Sequence, residues 1–147
     1  RHNVIREYAE RSQIVSNMMQ YSLLDRRPEE FALDYLAGHE VGVLVRGGLA
    51  KGLLASKTAK AYLKHQQEDV QKVKDLLADY GQGQQDPGHL ALAYCWQHPA
   101  VASIVVGASS VQQLQDNAKA LAHAPLDAEV YRALQEQSPL WQYEQHR

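Results

Sequence analysis

The chain has 147 residues, 45% hydrophobic and 22% charged, the makeup and size of one globular domain with a single core. A net charge of -2 with no block of like charges gives no footprint for nucleic acid or an anionic membrane surface, and no apolar run nears the roughly 20 residues that span a bilayer. The single Cys95 excludes an internal disulfide and points to a reducing, cytoplasmic compartment.

The chain opens on Arg1, and RHNVIREYAERS reads as an amphipathic helix already under way, so a segment upstream is expected. Its apolar stripe is Val4, Ile5, Tyr8 and Ala9. Gln13 to Tyr21 is apolar and reads as a buried strand, and the Asp-Arg-Arg-Pro that follows breaks the pattern. From Pro28, PEEFALDYLAGHE sets Pro and acids at a helix start and Gly38 near its end. Val41 to Val45 is a second short strand ending at Arg46, followed by a glycine-punctuated loop, RGGLAKGLL. Lys57 to Tyr80 reads as one solvated helix, with Ala61, Val70, Val73, Leu76 and Leu77 on a face and Gly81 past its end. A further helix is capped at or near Asp86, with Pro87 at its first position and Leu90, Ala93, Tyr94 and Trp96 inward, and Pro99 closes it.

Val101 to Asn117, VASIVVGASSVQQLQDN, is the stretch around which the rest is organised. Ser103 to Val106 suits a strand covered on both faces, Gly107 allows backbone geometries closed to other residues, and a helix begins near Ser110 with Leu114, Ala118 and Leu121 at helical spacing. The first turn of that helix offers unpaired N–H groups and a positive dipole end to an anion, although such turns also close ordinary strand-to-helix connections. LDAEVYRALQEQSP adds one more helix before a tail with Trp141 and Tyr143.

Strands alternating with helices imply an α/β fold with a parallel sheet, and three strands are too few to stand alone. The sheet is therefore part of a doubly wound sheet or a (β/α)₈ TIM barrel. Gln20, Arg46 and Gly107, each at the carboxyl end of a strand, favour the barrel, whose phosphate site typically follows its last two strands.

Three blocks, IVSNMMQYSLLDRRPEE, GVLVRGGLAKGLL and HPAVASIVVGASSVQQLQDNAKAL, together resemble the carboxyl-terminal half of the aldo-keto reductases, most closely the bacterial members akin to the potassium-channel beta subunits. The resemblance covers most of residues 14 to 121. It implies that residues 1–147 are the carboxyl-terminal part of one incomplete (β/α)₈ barrel domain, about strands 6 to 8 with their helices, and that 122–147 form a terminal helix and tail. It also implies a nicotinamide dinucleotide, NADP(H) or NAD(H), laid across the carboxyl ends of the strands.

By matching position, the resemblance implies that Gln20 hydrogen-bonds the nicotinamide carboxamide, a task an amide suits as both donor and acceptor. Arg46 stands where many relatives stack an aromatic ring, and its guanidinium would pair instead with the pyrophosphate or a substrate anion. Gly47, Gly48, Leu49, Lys51 and Gly52 match the loop that covers the pyrophosphate, with Gly48 in place of the usual Pro, which should soften it; Lys51 or Lys57 would add charge. Gly107, Ser109, Gln113, Asp116 and Asn117 match the adenosine-phosphate site. Many relatives carry Arg at the position of Ser109 to pair with a 2′-phosphate, so the choice between NADP and NAD stays open.

The family's catalytic Tyr, Asp, Lys and His belong to the amino-terminal half and have no counterpart here, so no catalytic residue is assigned. Tyr21, Tyr35, Tyr62 and Tyr94 read as core or surface aromatics, the histidines show no metal-ligand spacing, and Cys95 reads as a small buried residue. The resemblance thus implies the cofactor-binding half of an NAD(P)H-dependent oxidoreductase that reduces aldehydes and ketones to alcohols, the chain alone being inactive. Two alternatives stand beside it: a catalytically silent nucleotide-binding or regulatory module, and a self-associating half-barrel. The expected partners are the dinucleotide, a small carbonyl substrate in the intact protein, and either the missing half or a second copy.

Overall fold

The computed structural model describes residues 2–123, 125–140 and 142; Trp141 and Tyr143 lie outside them, as does the side chain of Leu121. Three parallel strands, β1 (Ser16–Gln20), β2 (Gly42–Arg46) and β3 (Val101–Val105), form a sheet in chain order. The α-helices are α1 (His2–Arg11), α2 (Ala32–Gly38), α3 (Gln67–Gly81), α4 (Pro87–Trp96), α5 (Val111–Lys119) and α6 (Ala128–Gln137), with three short 3-10 turns between them.

Register sets which strand residues share a face. Gln20 pairs with Arg46 and Arg46 with Val105, so three strand ends meet at the carboxyl edge of the sheet. Because side chains alternate across a strand, Val43 and Val45 are fully buried against the helices, whereas Gly42, Leu44 and Arg46 occupy the other face. That second face is open. Met18 is 55% and Val105 49% exposed, so β1 and β3 are not covered on both faces as their apolar sequences suggest. Among the described residues each also has one neighbouring strand only, and an edge strand lacks the second neighbour that shields a central one.

The core gathers Leu33 and Leu36 of α2, Leu54, Leu77 of α3, Tyr94 and Cys95 of α4, and Leu134 of α6. Within α1 only His2 and Ile5 are buried, and Val4 and Tyr8 of the expected stripe face outward. Local chemistry fixes the helix starts: Asp86 accepts from the Gly88 N–H, Ser110 from the Gln113 N–H, and Asp127 from the Glu129 N–H.

Two helices differ from the sequence reading. The run from Pro28 divides into a 3-10 turn, Arg27–Glu30, and α2, because Phe31 at φ -159°, ψ -45° interrupts the ladder. The single helix expected over Lys57 to Tyr80 begins only at Gln67 and includes Gly81, with Gln82 in the left-handed conformation as its cap. Residues 57–66 instead form a loop with a tight turn at Tyr62–His65, pinned where the His65 ring meets the Leu24 carbonyl at 2.9 Å. That tie crosses 41 residues of chain, so helical spacing of apolar residues could not disclose it.

Candidate functional site

The loop after β2 begins at Gly47, whose φ of 75° suits glycine, and continues through a 3-10 turn, Ala50–Gly52. Ala50, Lys51 and Gly52 all take left-handed φ, at 47, 59 and 88°. The Lys57 side chain lies over Gly52, where an added Cβ would come within 3.2 Å of its methylenes, and Lys57 Nζ donates to the Lys51 carbonyl at 2.8 Å. Gly48 is buried, and a Cβ there would meet Leu92 Cδ2 at 3.0 Å with Ile104 and Cys95 just beyond. A side chain at Gly48 would therefore press on the Leu92 methyl, which would have to give by a few tenths of an ångström.

The turn after β3 is built differently. Gly107 does not adopt the left-handed conformation, and an added Cβ would meet nothing within 4 Å, so its lack of a side chain serves open space rather than unusual backbone geometry. Ser109 donates twice to Gln113 Oε1, through its N–H at 2.8 Å and its hydroxyl at 2.9 Å. Asn117 Nδ2 reaches the Gly107 carbonyl at 3.5 Å. Asp116 receives Lys119 Nζ at 2.7 Å and Gln112 Nε2 at 3.1 Å, and these bonds, Lys119 first, hold its carboxyl below the usual carboxylate range.

The two turns face each other across a cleft of about 660 Å³. Gly47, Gly48, Leu49, Lys51, Gly52 and Lys57 line one side, and Gly107, Ser109, Gln113, Asp116 and Asn117 the other. Between them stands the start of α4, with Asp86, Gly88 and His89; the sequence suggests only a cap at Asp86 and no place for any of the three in a site. Gly88 is the signal that could have revealed it: a glycine in a helix's first turn marks close approach, and a Cβ there would meet Ala55 at 3.1 Å. The cleft therefore has two helix starts, two lysines and a glycine-rich wall, a donor set that fits a phosphate-bearing ligand. Its volume lies within the range of small-molecule sites.

Gln20 and Arg46 are not among the residues lining this cleft. Arg46 Nη1 donates to Gln20 Oε1 at 3.0 Å, while Gln20 Nε2 donates to Asp25 Oδ2 at 2.8 Å and to the Tyr62 hydroxyl at 3.2 Å. The amide orientation is fixed by chemistry, since a guanidinium can only donate and a carboxylate only accept. Asp25, 1% exposed, is also gripped through both oxygens by Arg27 at 2.6 Å. Tyr62 sits in this cluster with its phenol held in the neutral form by burial and then by the Asp25 charge. Both hydrogens of the Gln20 amide are thereby engaged, and its oxygen keeps one lone pair.

Among the described residues no group of three or more His, Cys, Asp or Glu lies together in a way that could hold a metal ion, and no helix is long and apolar enough to cross a membrane. Tyr21 and Tyr94 are fully buried, as is Cys95, whose thiol is pushed up by burial.

Residues 2–138 match the Aldo/keto reductase family, and the chain belongs to that family. The uncharacterized oxidoreductase YqkF of Bacillus subtilis (strain 168) is 38% identical over 156 residues, which take in all of this chain and 50% of that protein. The aldo-keto reductase AKR11C1 from Bacillus halodurans superimposes with a TM-score of 0.90 in its holo form and 0.87 in its apo form, at 41% identity, covering 100% of this chain and 49% and 51% of that one. The chain thus spans about half the length of these relatives, and its three-stranded parallel sheet corresponds to that half of the family's (β/α)₈ barrel.

Proposed function

We propose that residues 1–147 are the cofactor-holding part of an NAD(P)H-dependent aldo-keto reductase that reduces aldehydes or ketones to alcohols. The observation that carries this reading is the cleft, in which a glycine-rich loop, a Gly-Ala-Ser turn and the starts of α4 and α5 converge. On this reading Gly47 to Gly52 and Lys57 would hold the pyrophosphate, while Gly107, Ser109, Gln113, Asp116 and Asn117 would hold the adenosine phosphate. When bound, the dinucleotide supplies the hydride. Gln20 would accept one hydrogen bond from the nicotinamide amide with its remaining lone pair, and Arg46, which holds Gln20 through Nη1, would turn its other N–H donors to the pyrophosphate or a substrate anion.

The reading treats residues 1–147 as part of one cytoplasmic barrel domain, with 122–147 as its terminal helix and tail. It assigns the protein to the branch that includes the potassium-channel beta subunits, on the three sequence blocks given above, and it locates the proton-donating tyrosine with its Asp, Lys and His outside these residues. Relatives described as oxidoreductases support the class of reaction. The test is NADPH and NADH consumption by the full-length protein against a panel of aldehydes and ketones. Turnover with at least one is expected; nucleotide binding without turnover of any would favour a silent module instead.

A further inference from the structure

Ala50, Lys51 and Gly52 stand in succession in the left-handed region, a conformation that non-glycine residues keep only where the surroundings over-determine it. The turn itself is closed by the Ala50 and Gly52 N–H groups donating to the Gly47 and Leu49 carbonyls and by Lys57 Nζ on the Lys51 carbonyl, and the chain that follows it is tied to α3. Lys74 Nζ donates to the carbonyls of Leu53, Ala55 and Lys57 at 3.0, 2.9 and 2.7 Å. An ammonium has three N–H donors and no acceptor, so these three bonds use all of them, and they are the stronger, charge-assisted kind. With no donor to spare, and a place outside the cleft lining, Lys74 is no ligand for an anion. Its effect is to draw three carbonyl dipoles toward α3, on the segment where Ala55, Ser56 and Lys57 line the cleft, and so to keep them from facing a bound negative charge.

We infer that Lys74 is a positioning residue that sets the shape and polarity of the 50–57 loop for a nucleotide's pyrophosphate; this rests on the nucleotide reading of the cleft. Nothing in the sequence around Lys74 marks it, since it is one of several charged residues on a solvated helix.

The test uses Lys74→Met, which keeps the stem and removes the charge, and Lys74→Arg, in the full chain. Amide hydrogen exchange without ligand should show at least tenfold faster exchange over residues 50–57 in Lys74→Met, with β2 and α4 unchanged, and threefold or less in Lys74→Arg. By calorimetry Lys74→Met should lose at least tenfold in affinity for ADP but less than twofold for 2′-AMP, which has no pyrophosphate. Unchanged loop exchange in Lys74→Met, or equal losses for both nucleotides, would overturn the inference. If the parent binds neither nucleotide, the reading of the cleft fails while the exchange measurement still decides the restraint. Should Lys74→Met not fold, Lys74→Gln replaces it, with a threefold change in loop exchange as the criterion.

Discussion

Arg26 and Glu29 form an ion pair inside the protein, with Arg26 Nη2 2.7 Å from Glu29 Oε2 and side chains only 7% and 14% exposed. Tyr21 and Tyr94 donate their hydroxyls to the other carboxylate oxygen, and Arg26 also donates to the Gln135 and Ser138 carbonyls at the end of α6. One carboxylate therefore joins the loop after β1 to α4 and α6.

Removing the charge from one member strands the other. Glu29→Gln should destabilise the fold by about 3–5 kcal/mol, the range for breaking a buried pair. Asp116→Asn, which removes a surface pair with Lys119, should stay within about 0.5 kcal/mol. Urea midpoints of the two variants check the contrast, and equal small effects would show that the buried pair contributes little.

Alkali should unfold this protein. Burial pushes the Cys95 thiol and the Tyr21 and Tyr94 phenols above their ordinary values, so the unfolded chain gives up these protons first as pH rises. The contribution of these three groups stays level below roughly pH 8.5 and falls from there through pH 10 and beyond, with each titrating group adding a slope of up to about 1.4 kcal/mol per pH unit. Urea unfolding at pH 8, 9 and 10 measures this, and a flat profile would contradict it. Cys95 should also resist thiol reagents at pH 8 until urea unfolds the chain.

The features legible in the sequence were those that act over a few residues. Asp86, Ser110 and Asp127 carry their capping role in their own chemistry, and the strand-turn-helix unit at Gly107 is local in the same way. The loop over residues 57–66 is not legible in its own sequence, because it is tied at the Lys57 carbonyl to Lys74 and at His65 to Leu24, partners distant along the chain. Gln20 and Arg46 were recognised one at a time, but their mutual bond follows from strand register, which sequence does not state. Asp86, Gly88 and His89 entered the cleft only through the packing of α4 beside the β2 loop.

The open edges of β1 and β3 and the bare inner face call for a cover. Val15, Met18 and Val105 are 81, 55 and 49% exposed. Purified residues 1–147 should self-associate at low micromolar concentration, and Met18→Lys on the inner face should weaken this. Sedimentation velocity decides, and a compact monomer that melts cooperatively would contradict the expectation.

On the proposed reading, Ser109 stands at the adenosine-phosphate end of the cleft and offers a hydroxyl, where an arginine would pair with a 2′-phosphate. ADP and 2′-phospho-AMP should therefore bind within roughly tenfold of each other, a gap below about 1.4 kcal/mol. Ser109→Arg should widen the preference for 2′-phospho-AMP by at least about tenfold through a charge-assisted pair. An unchanged ratio would mean that this turn does not face the ribose phosphate.

Gly107 offers the most direct measurement. A Cβ at this position meets nothing within 4 Å and the backbone is not left-handed, so Gly107→Val should fold with parent stability while placing bulk in the cleft. Gly52 would not serve, because its φ of 88° and the overlying Lys57 make any side chain disruptive there. Titration calorimetry with ADP, run on the parent, on Gly107→Val and on Lys60→Ala as an exposed control, should give binding by the parent and the control and none by the valine variant. Equal heats from parent and Gly107→Val, or no heat from the parent with any adenine nucleotide, would contradict a nucleotide site in this cleft.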